Sequence, residues 1–145
     1  MAVQTLNDSE IKTFVADWYR ALDRHDPIEE VEPYLVPQGL TMTFPEGTLR
    51  GLADFRGWYK TVTHRFFDEE HTVTAVDVDW RPDGTASTKV VVNWQARVWD
   101  APAAESTWLG FDAYQTWLVG AREGRPVILS YVVDELKPMP GSASL

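Results

Sequence analysis

The amino-acid sequence predicts one α+β domain in which helices pack against a curved, largely antiparallel sheet. Its N-terminal part repeats apolar residues at helical spacing, whereas the part after residue 69 alternates apolar and polar residues in four long segments. A chain of 145 residues suits a single hydrophobic core. We therefore predict one domain over residues 1–145, with its core at about 8–137 and a loose tail, rich in Pro, Gly and Ser, at 138–145.

Three helices are predicted in the N-terminal part. Asn7, Asp8 and Ser9 offer N-caps for the first, whose apolar stripe is formed by Ile11, Phe14, Val15, Trp18 and Leu22. Pro27 ends this helix and starts a second, short one at 28–31, and Asp26 is expected to cap it. A short strand at 40–44, a Pro-Glu-Gly turn and an extended piece at 48–50 precede a third helix, which starts at Gly51 and ends near 64–67.

Four long strands are predicted at about 70–81, 85–100, 105–119 and 126–137. The breaks between them are short and carry turn residues, which favours an antiparallel meander. The third strand has one apolar face on which Gln115 is the lone polar residue. In the first strand the apolar parity changes after Val73, so we predict a bulge near Ala75 that bends the sheet.

Composition excludes several classes of function. The net charge is −9 and no basic cluster is present, which argues against nucleic-acid and anionic-membrane partners. The chain has no cysteine, no paired histidines at metal-ligand spacing and no Gly-rich phosphate loop, so we expect neither a metal nor another cofactor. Residues 1–5 do not look like a signal peptide and no stretch is long and apolar enough to span a bilayer; the expected location is the cytoplasm.

Seven tryptophans are the unusual feature of the composition. They are consistent with an indole-rich core, with a sheet face that a partner covers, or with an aromatic pocket. The pattern assigns several large rings to inward faces, and those near an open end of the sheet would line a site for a flat apolar ligand. The inward-facing aromatics are Trp18, Phe44, Trp58, Trp94, Phe111, Trp117 and Tyr131.

The order of elements and several loose signatures resemble the NTF2-like superfamily, and within it the SnoaL-like group of polyketide cyclases, ketosteroid isomerases and scytalone dehydratases. The signatures span about residues 8–137. They are Trp18-Tyr19-x-Ala21-Leu22-Asp23, Phe44-Pro45-Glu46-Gly47, His71-x-Val73, Val92-x-Trp94-x-Ala96 and Gln115-x-Trp117-x-Val119. The resemblance implies a cystatin-like cone, with three helices held in a strongly curved sheet and a pocket at the wide end. It also implies a homodimer formed through the outer sheet face, on which Val91, Arg97 and Trp99 are expected.

His71 is the candidate catalytic residue. It begins a strand whose inner face should open into the pocket, and imidazole titrates near neutral pH and acts as acid or base. The resemblance to dehydratases also implies a histidine in this region. The alternative is a structural histidine bonded to Glu69, Glu70 or the backbone. Asp23 is expected to be solvated or to link helices.

Gln115 is the second candidate, since a buried amide must bond to a neighbour, a water or a ligand. The resemblance places it where ketosteroid isomerases carry a protonated Asp that donates to the substrate oxygen. Its alternative partners are Tyr131 and His71. The same resemblance exposes a departure: Phe44 and Trp18 stand where those isomerases have a catalytic Asp and a Tyr, so isomerisation of steroids by that mechanism is not expected.

Two functions therefore remain open. In one, a cofactor-independent isomerase, cyclase or dehydratase acts on a small apolar carbonyl compound, with His71 as acid–base residue and Gln115 or Tyr131 orienting the oxygen. In the other, the domain binds a ligand or assembles as a dimer without chemistry. Under either, the expected ligand contacts are Gln115, Tyr131, Trp18, Phe44, Trp58, Trp94 and Trp117.

Overall fold

A computed structural model describes residues 6–145. The helices are α1 (Asp8–Asp23), α2 (Ile28–Val31), which continues into a 3₁₀ turn (Glu32–Tyr34), and α3 (Gly51–Arg65). The strands are β1 (Thr41–Phe44), β2 (Gly47–Arg50), β3 (Phe67–Trp80), β4 (Ala86–Val98), β5 (Thr107–Arg122) and β6 (Arg125–Pro138). The predicted α+β class and element order are confirmed. Residues 1–5, from which a signal peptide was judged absent, lie outside the described part.

The six strands form one sheet in the order β2-β1-β6-β5-β4-β3. Strands β3 to β6 pair as the predicted antiparallel meander, and β1 joins the sheet by pairing parallel to β6, with β2 at the edge beyond it. The predicted bulge is confirmed, because the register of β3 on β4 shifts between Val73 and Ala75. Such bulges bend a strand and raise its twist, which curls this sheet around the helices.

Strand β6 differs from its sequence pattern, whose strict alternation predicts one face with Val127, Leu129, Tyr131 and Val133. Its register on β5 shifts twice, once between the pairs Leu118–Ser130 and Val119–Ile128 and once beside Gln115. As a result Ile128, rather than Leu129, faces inward with Tyr131, and Leu136 joins them further along. The apolar run at 127–129 hides this shift, because either parity would look buried.

Helix α1 lies in the concave face of the sheet. Asn7 caps it with a reciprocal capping box to Glu10, as the sequence predicts for this end. Its other end differs from expectation: Asp26 does not cap α2, whose N-cap is Pro27, and instead pairs through both carboxylate oxygens with Arg24. The reason is local, since the guanidinium fork matches a carboxylate two residues away.

The C-terminal tail continues along the edge of β5 beyond the end of β6, and Leu145 at its end lines the cavity described below, although its composition suggested a loose segment. Met139 donates its backbone N–H to the Gly110 carbonyl at 2.9 Å, and Ser142 Oγ accepts from the Gly110 N–H at 2.9 Å. A side chain at Gly110 would collide with Trp108 and Met139, so the glycine admits the tail. Within residues 6–145, none of the helices combines the length and the apolar character needed to cross a membrane.

Candidate functional site

A cavity of about 220 Å³ opens between α1, α3 and the inner faces of β3 to β6. Apolar and aromatic side chains dominate its wall, and the polar groups come from α1, α3, β3, β5, β6 and the turn between β1 and β2. Five of the seven expected ligand contacts line it, namely Gln115, Tyr131, Phe44, Trp58 and Trp94, and the candidate catalytic residue His71 does so too.

Trp18 and Trp117 do not line the cavity, which corrects their assignment as ligand contacts. Both are fully buried between α1 and the sheet, and their rings meet edge to face at 6.4 Å. They face inward as predicted, but they lie in the part of the sheet interior that α1 fills, away from the cavity. Trp18 Nε1 is the one buried side-chain nitrogen or oxygen in the described residues without a hydrogen-bond partner.

His71 is held by Asp23, at the end of α1. The imidazole Nδ1 lies 2.5 Å from Asp23 Oδ1, and Asp23 Oδ2 accepts the backbone N–H of His71 at 2.9 Å. One carboxylate therefore fixes both the ring and the strand that carries it. The exposed fraction of the side chain is 10% for His71 and 22% for Asp23, so both are shielded, and of the two His71 lines the cavity.

This pairing replaces the expected partners of His71, which were Glu69, Glu70 or the backbone. It also replaces the solvated or helix-linking role expected for Asp23. A signal for it exists in the sequence. Asp23 lies four residues after Tyr19, which is buried on the same face of α1. A carboxylate in the last turn of a helix is disfavoured by the helix dipole, so an Asp there suggests a compensating partner.

Tyr19 was not foreseen as part of the site. Its ring stacks on the imidazole of His71 with centroids 4.7 Å apart, and Trp94 flanks His71 at 6.2 Å on a nearly parallel plane. The aromatic rings restrict the imidazole to one plane, while Asp23 fixes its rotation within that plane. The nitrogen left without a partner in residues 6–145 is Nε2.

Gln115 is also oriented by its neighbours. Its Oε1 accepts from the Tyr19 hydroxyl at 2.9 Å and from Trp117 Nε1 at 2.8 Å. Because two donors hold the oxygen, the amide cannot flip, and its Nε2 is kept as a donor at the cavity wall. Tyr131, one of the two expected partners, reaches Gln115 through Tyr19, whose hydroxyl it contacts at 3.0 Å.

Both tyrosines of this network keep their protons over a wide pH range. Burial raises the pKa of Tyr131 to about 12. Burial, and then the charge of Tyr131, raise the pKa of Tyr19 well above its ordinary value. Since Tyr19 donates to Gln115, the proton of Tyr131 is directed either to the Tyr19 oxygen or to a ligand.

A second histidine–carboxylate pair lies at the cavity and was not predicted. Glu69, with 9% of its side chain exposed, approaches His25 Nε2 with Oε2 at 2.6 Å and accepts from Trp94 Nε1 with Oε1 at 3.0 Å. The two residues are 44 positions apart, and only the packing of β3 on α1 brings them together.

Comparison with known families decides the classification. The family model described as "SnoaL-like domain" matches residues 4–125. The chain belongs to the SnoaL-like family. This confirms the resemblance drawn from the sequence motifs; among curated proteins there is no match.

Solved structures similar to this SnoaL-like domain confirm its cystatin-like fold. A protein of unknown function from Nostoc punctiforme has a TM-score of 0.72 at 15% identity, with 100% of both chains covered. Hexachlorocyclohexane dehydrochlorinase LinA-type3 from Novosphingobium barchaimii has a TM-score of 0.74 at 13% identity, covering 94% of this chain and 92% of that one. A proposed scytalone dehydratase from Novosphingobium aromaticivorans has 0.71 at 16%, covering 94% of each.

The mouth of the SnoaL-like cavity is apolar at position 44, where the resemblance to ketosteroid isomerases would place a catalytic Asp. Phe44 stacks on Trp58 with centroids 4.7 Å apart and approaches Tyr131 at 5.6 Å. Glu46, in the adjacent turn, lines the rim. A proton acceptor is thus missing at position 44, and among the described cavity residues His71 is the group whose free imine nitrogen can take a proton.

Proposed function

We propose that the cavity binds a small, flat, mostly apolar carbonyl compound and that His71 moves a proton on it, in an isomerase or lyase reaction. The observation that carries this proposal is the contact of Asp23 with His71, which lines the cavity. A histidine whose one nitrogen is held by a carboxylate and whose other nitrogen is free is the arrangement that general-base catalysis needs.

The tautomer follows from the partner. An ionised carboxylate only accepts hydrogen bonds, so Nδ1 of His71 carries the proton and Nε2 keeps its lone pair. When Nε2 takes a proton from a carbon next to the carbonyl, the imidazolium that forms is stabilised by the negative charge of Asp23. The same imidazolium then returns the proton to another carbon, or to a leaving group on the neighbouring carbon.

The electron pair released from the carbon moves onto the carbonyl oxygen, which needs donors. Gln115 supplies its Nε2–H, held at the wall by the two bonds to Oε1. Tyr131 supplies a neutral hydroxyl, because its raised pKa keeps the proton in place. The oxygen of the ligand is therefore expected at the Gln115–Tyr131 side of the cavity and the reacting carbon beside His71.

The names of two structural neighbours support elimination as the reaction type. Dehydrochlorination and dehydration each remove a leaving group together with a proton. At sequence identities of 13% and 16%, these neighbours establish only the fold. The proposal therefore includes loss of water, loss of halide and isomerisation, in which no group leaves.

The test follows exchange of a carbon-bound proton in D₂O. 1-Indanone, a flat enolisable ketone, is incubated with the protein, and loss of its α-proton signal is followed by NMR. We expect exchange above the buffer rate with the wild type and a loss of about 10²-fold or more with His71→Gln. Equal exchange by both proteins, for this ketone and for cyclohexenones, would favour a domain that binds without chemistry.

We also propose that two copies pair through the outer sheet face. Trp99 is 50% exposed just beyond β4, and Tyr114 is exposed at the middle of β5, opposite Val91. Aromatic side chains on an open sheet face are typical of surfaces that a partner covers. Sedimentation equilibrium should give a dimer for the wild type and a monomer for Tyr114→Arg; a monomeric wild type would exclude this pairing.

A further inference from the structure

The pair formed by Glu69 and His25 lies at the cavity but has no part in the proton transfer assigned to His71. Glu69 belongs to the same strand and the same face as His71, two residues away, or about 7 Å along β3. Its carboxylate is nearly buried, and it touches the cavity beside Tyr59 and Thr63 of α3. A buried carboxylate must be hydrogen-bonded or paired with a cation. The groups that already bond to Glu69, and the acceptor positions they leave open, therefore indicate what it can bind.

Unusual backbone conformations bring the two side chains together. Helix α1 ends in a Schellman motif, in which the Asp26 N–H bonds to the Ala21 carbonyl and the His25 N–H bonds to the Leu22 carbonyl. The left-handed residue of such a motif is usually glycine, yet here it is His25, at φ = 52°. Asp68, at φ = 50°, occupies the irregularity of β3 directly before Glu69.

Left-handed conformations disfavour residues that have a side chain, and they concentrate where a side chain must be aimed. Glycine would satisfy the end of α1 better than His25 does, but it would leave Glu69 Oε2 without its 2.6 Å partner. The geometry of both segments therefore serves to fix one carboxylate at the cavity wall.

The carboxylate keeps capacity for a further bond. Each of its oxygens accepts one hydrogen bond, Oε1 from Trp94 Nε1 and Oε2 from His25 Nε2, while a carboxylate has about four acceptor positions. Glu69 lines the cavity together with Trp94, whereas His25 does not, so the remaining acceptor positions of Glu69 are available to a group inside the cavity. Another polar group of the cavity wall, Gln115 Nε2, can only donate.

We propose that Glu69, fixed by His25 and Trp94, is a specificity residue that accepts a hydrogen bond from a hydroxyl group on the ligand. The cavity then has two polar ends of opposite kind, a donor end at Gln115 and an anionic acceptor end at Glu69, with aromatic walls between. The ligand class is a flat aromatic or polycyclic compound that carries an alcohol or phenol. A ligand with an acceptor or a carboxylate at that end is rejected by the negative charge.

The probes are 2-naphthol and 2-methylnaphthalene, which have nearly the same shape and differ in the donor. Dissociation constants are measured by fluorescence for the wild type, for Glu69→Gln and for Glu70→Gln. Glu70 is the matched control, because it is the adjacent carboxylate and is exposed on the other face of β3. The ratio of the two constants cancels general changes in cavity shape.

The wild type should prefer 2-naphthol, and Glu69→Gln should reduce that preference by about five- to tenfold, since a charged acceptor is replaced by a neutral one. Glu70→Gln should keep the preference. Glu69→Asp withdraws the carboxylate but retains its charge beside His25, and it should lose the preference even if Glu69→Gln proves unstable.

An unchanged preference in Glu69→Gln or Glu69→Asp, an equal loss in Glu70→Gln, or no binding of either probe would overturn the assignment. Binding of these probes requires no turnover. Failure of the hydroxyl preference and failure of proton exchange at His71 are therefore separate results, each measured on the folded, full-length protein.

Discussion

Replacing Asp23 by Asn tests the arrangement on which the proposed chemistry depends. The side chains are isosteric, but Asp23 has two acceptor oxygens in use, at 2.5 Å from His71 Nδ1 and at 2.9 Å from the His71 backbone N–H. Asn has one acceptor and one donor. If its oxygen stays on the backbone N–H, which can only donate, its NH₂ faces Nδ1 and requires the lone pair there.

The imidazole must then move its proton to Nε2, the nitrogen that the proposed reaction needs free. We expect proton exchange on 1-indanone to fall about 10³-fold, within the range that a positioned general base supplies. Losing a charge-assisted bond should also lower the free energy of unfolding by about 1–3 kcal/mol. The exchange rate is followed by NMR in D₂O, and the tautomer is determined from the ¹⁵N shifts of His71.

Asp17→Asn is the matched control, because Asp17 lies on the exposed side of α1 and pairs with the exposed Arg20. It should change neither the exchange rate nor the tautomer. If Asp23→Asn exchanges protons within a few-fold of the wild type while His71 carries its proton on Nε2, the reasoning is refuted, because a base with no free imine nitrogen cannot be the catalyst.

Three further outcomes follow from the packing. Burial raises the pKa of Tyr131 to about 12, whereas the pKa of an unfolded tyrosine is near 10. The contribution of Tyr131 to stability is therefore complete below pH 10 and falls by up to about 1.4 kcal/mol per pH unit as the pH rises to 12. In urea unfolding at pH 9 to 11, the free energy of unfolding should decline less steeply for Tyr131→Phe than for the wild type. His25→Ala should have a free energy of unfolding about 1 kcal/mol lower than His25→Gly, because both lose the imidazole and only alanine strains the left-handed backbone. Equal urea midpoints for the two variants would contradict this. Gly110→Ala should lower the free energy of unfolding by about 1–3 kcal/mol, since its Cβ would lie 2.5 Å from the Trp108 ring, while Gly57→Ala, on an exposed turn of α3 with open space around it, should leave the melting temperature unchanged or raise it.

Local patterns predicted most of the fold because they act within a few residues. The capping box at Asn7, the apolar stripe of α1 and the period-two strands each follow from neighbours in sequence, and the bulge near Ala75 follows from a change of parity within one strand. The shift in β6 escaped because residues 127–129 are all apolar, so the pattern carries no parity to read. The partnership of β1 with β6 required the whole topology.

The site was predictable one residue at a time but not as a set of pairs. His71 and Gln115 stand out as polar groups on apolar faces, and both line the cavity. Trp18 and Trp117 have the same inward pattern as Trp94, and only their depth in the cone separates core from cavity wall. Depth depends on how far α1 penetrates the sheet, which no single-strand or single-helix pattern contains.

Residues that violate local rules held the missing information. Asp23 opposes the dipole at the end of α1, and His25 occupies a left-handed position two residues later. Each violation carries a side chain that meets a group of β3, Asp23 on His71 and His25 on Glu69. The end of α1 thus positions both His71 and Glu69 at the cavity. The irregular geometry between residues 23 and 25 is therefore better explained by the site than by the stability of the helix.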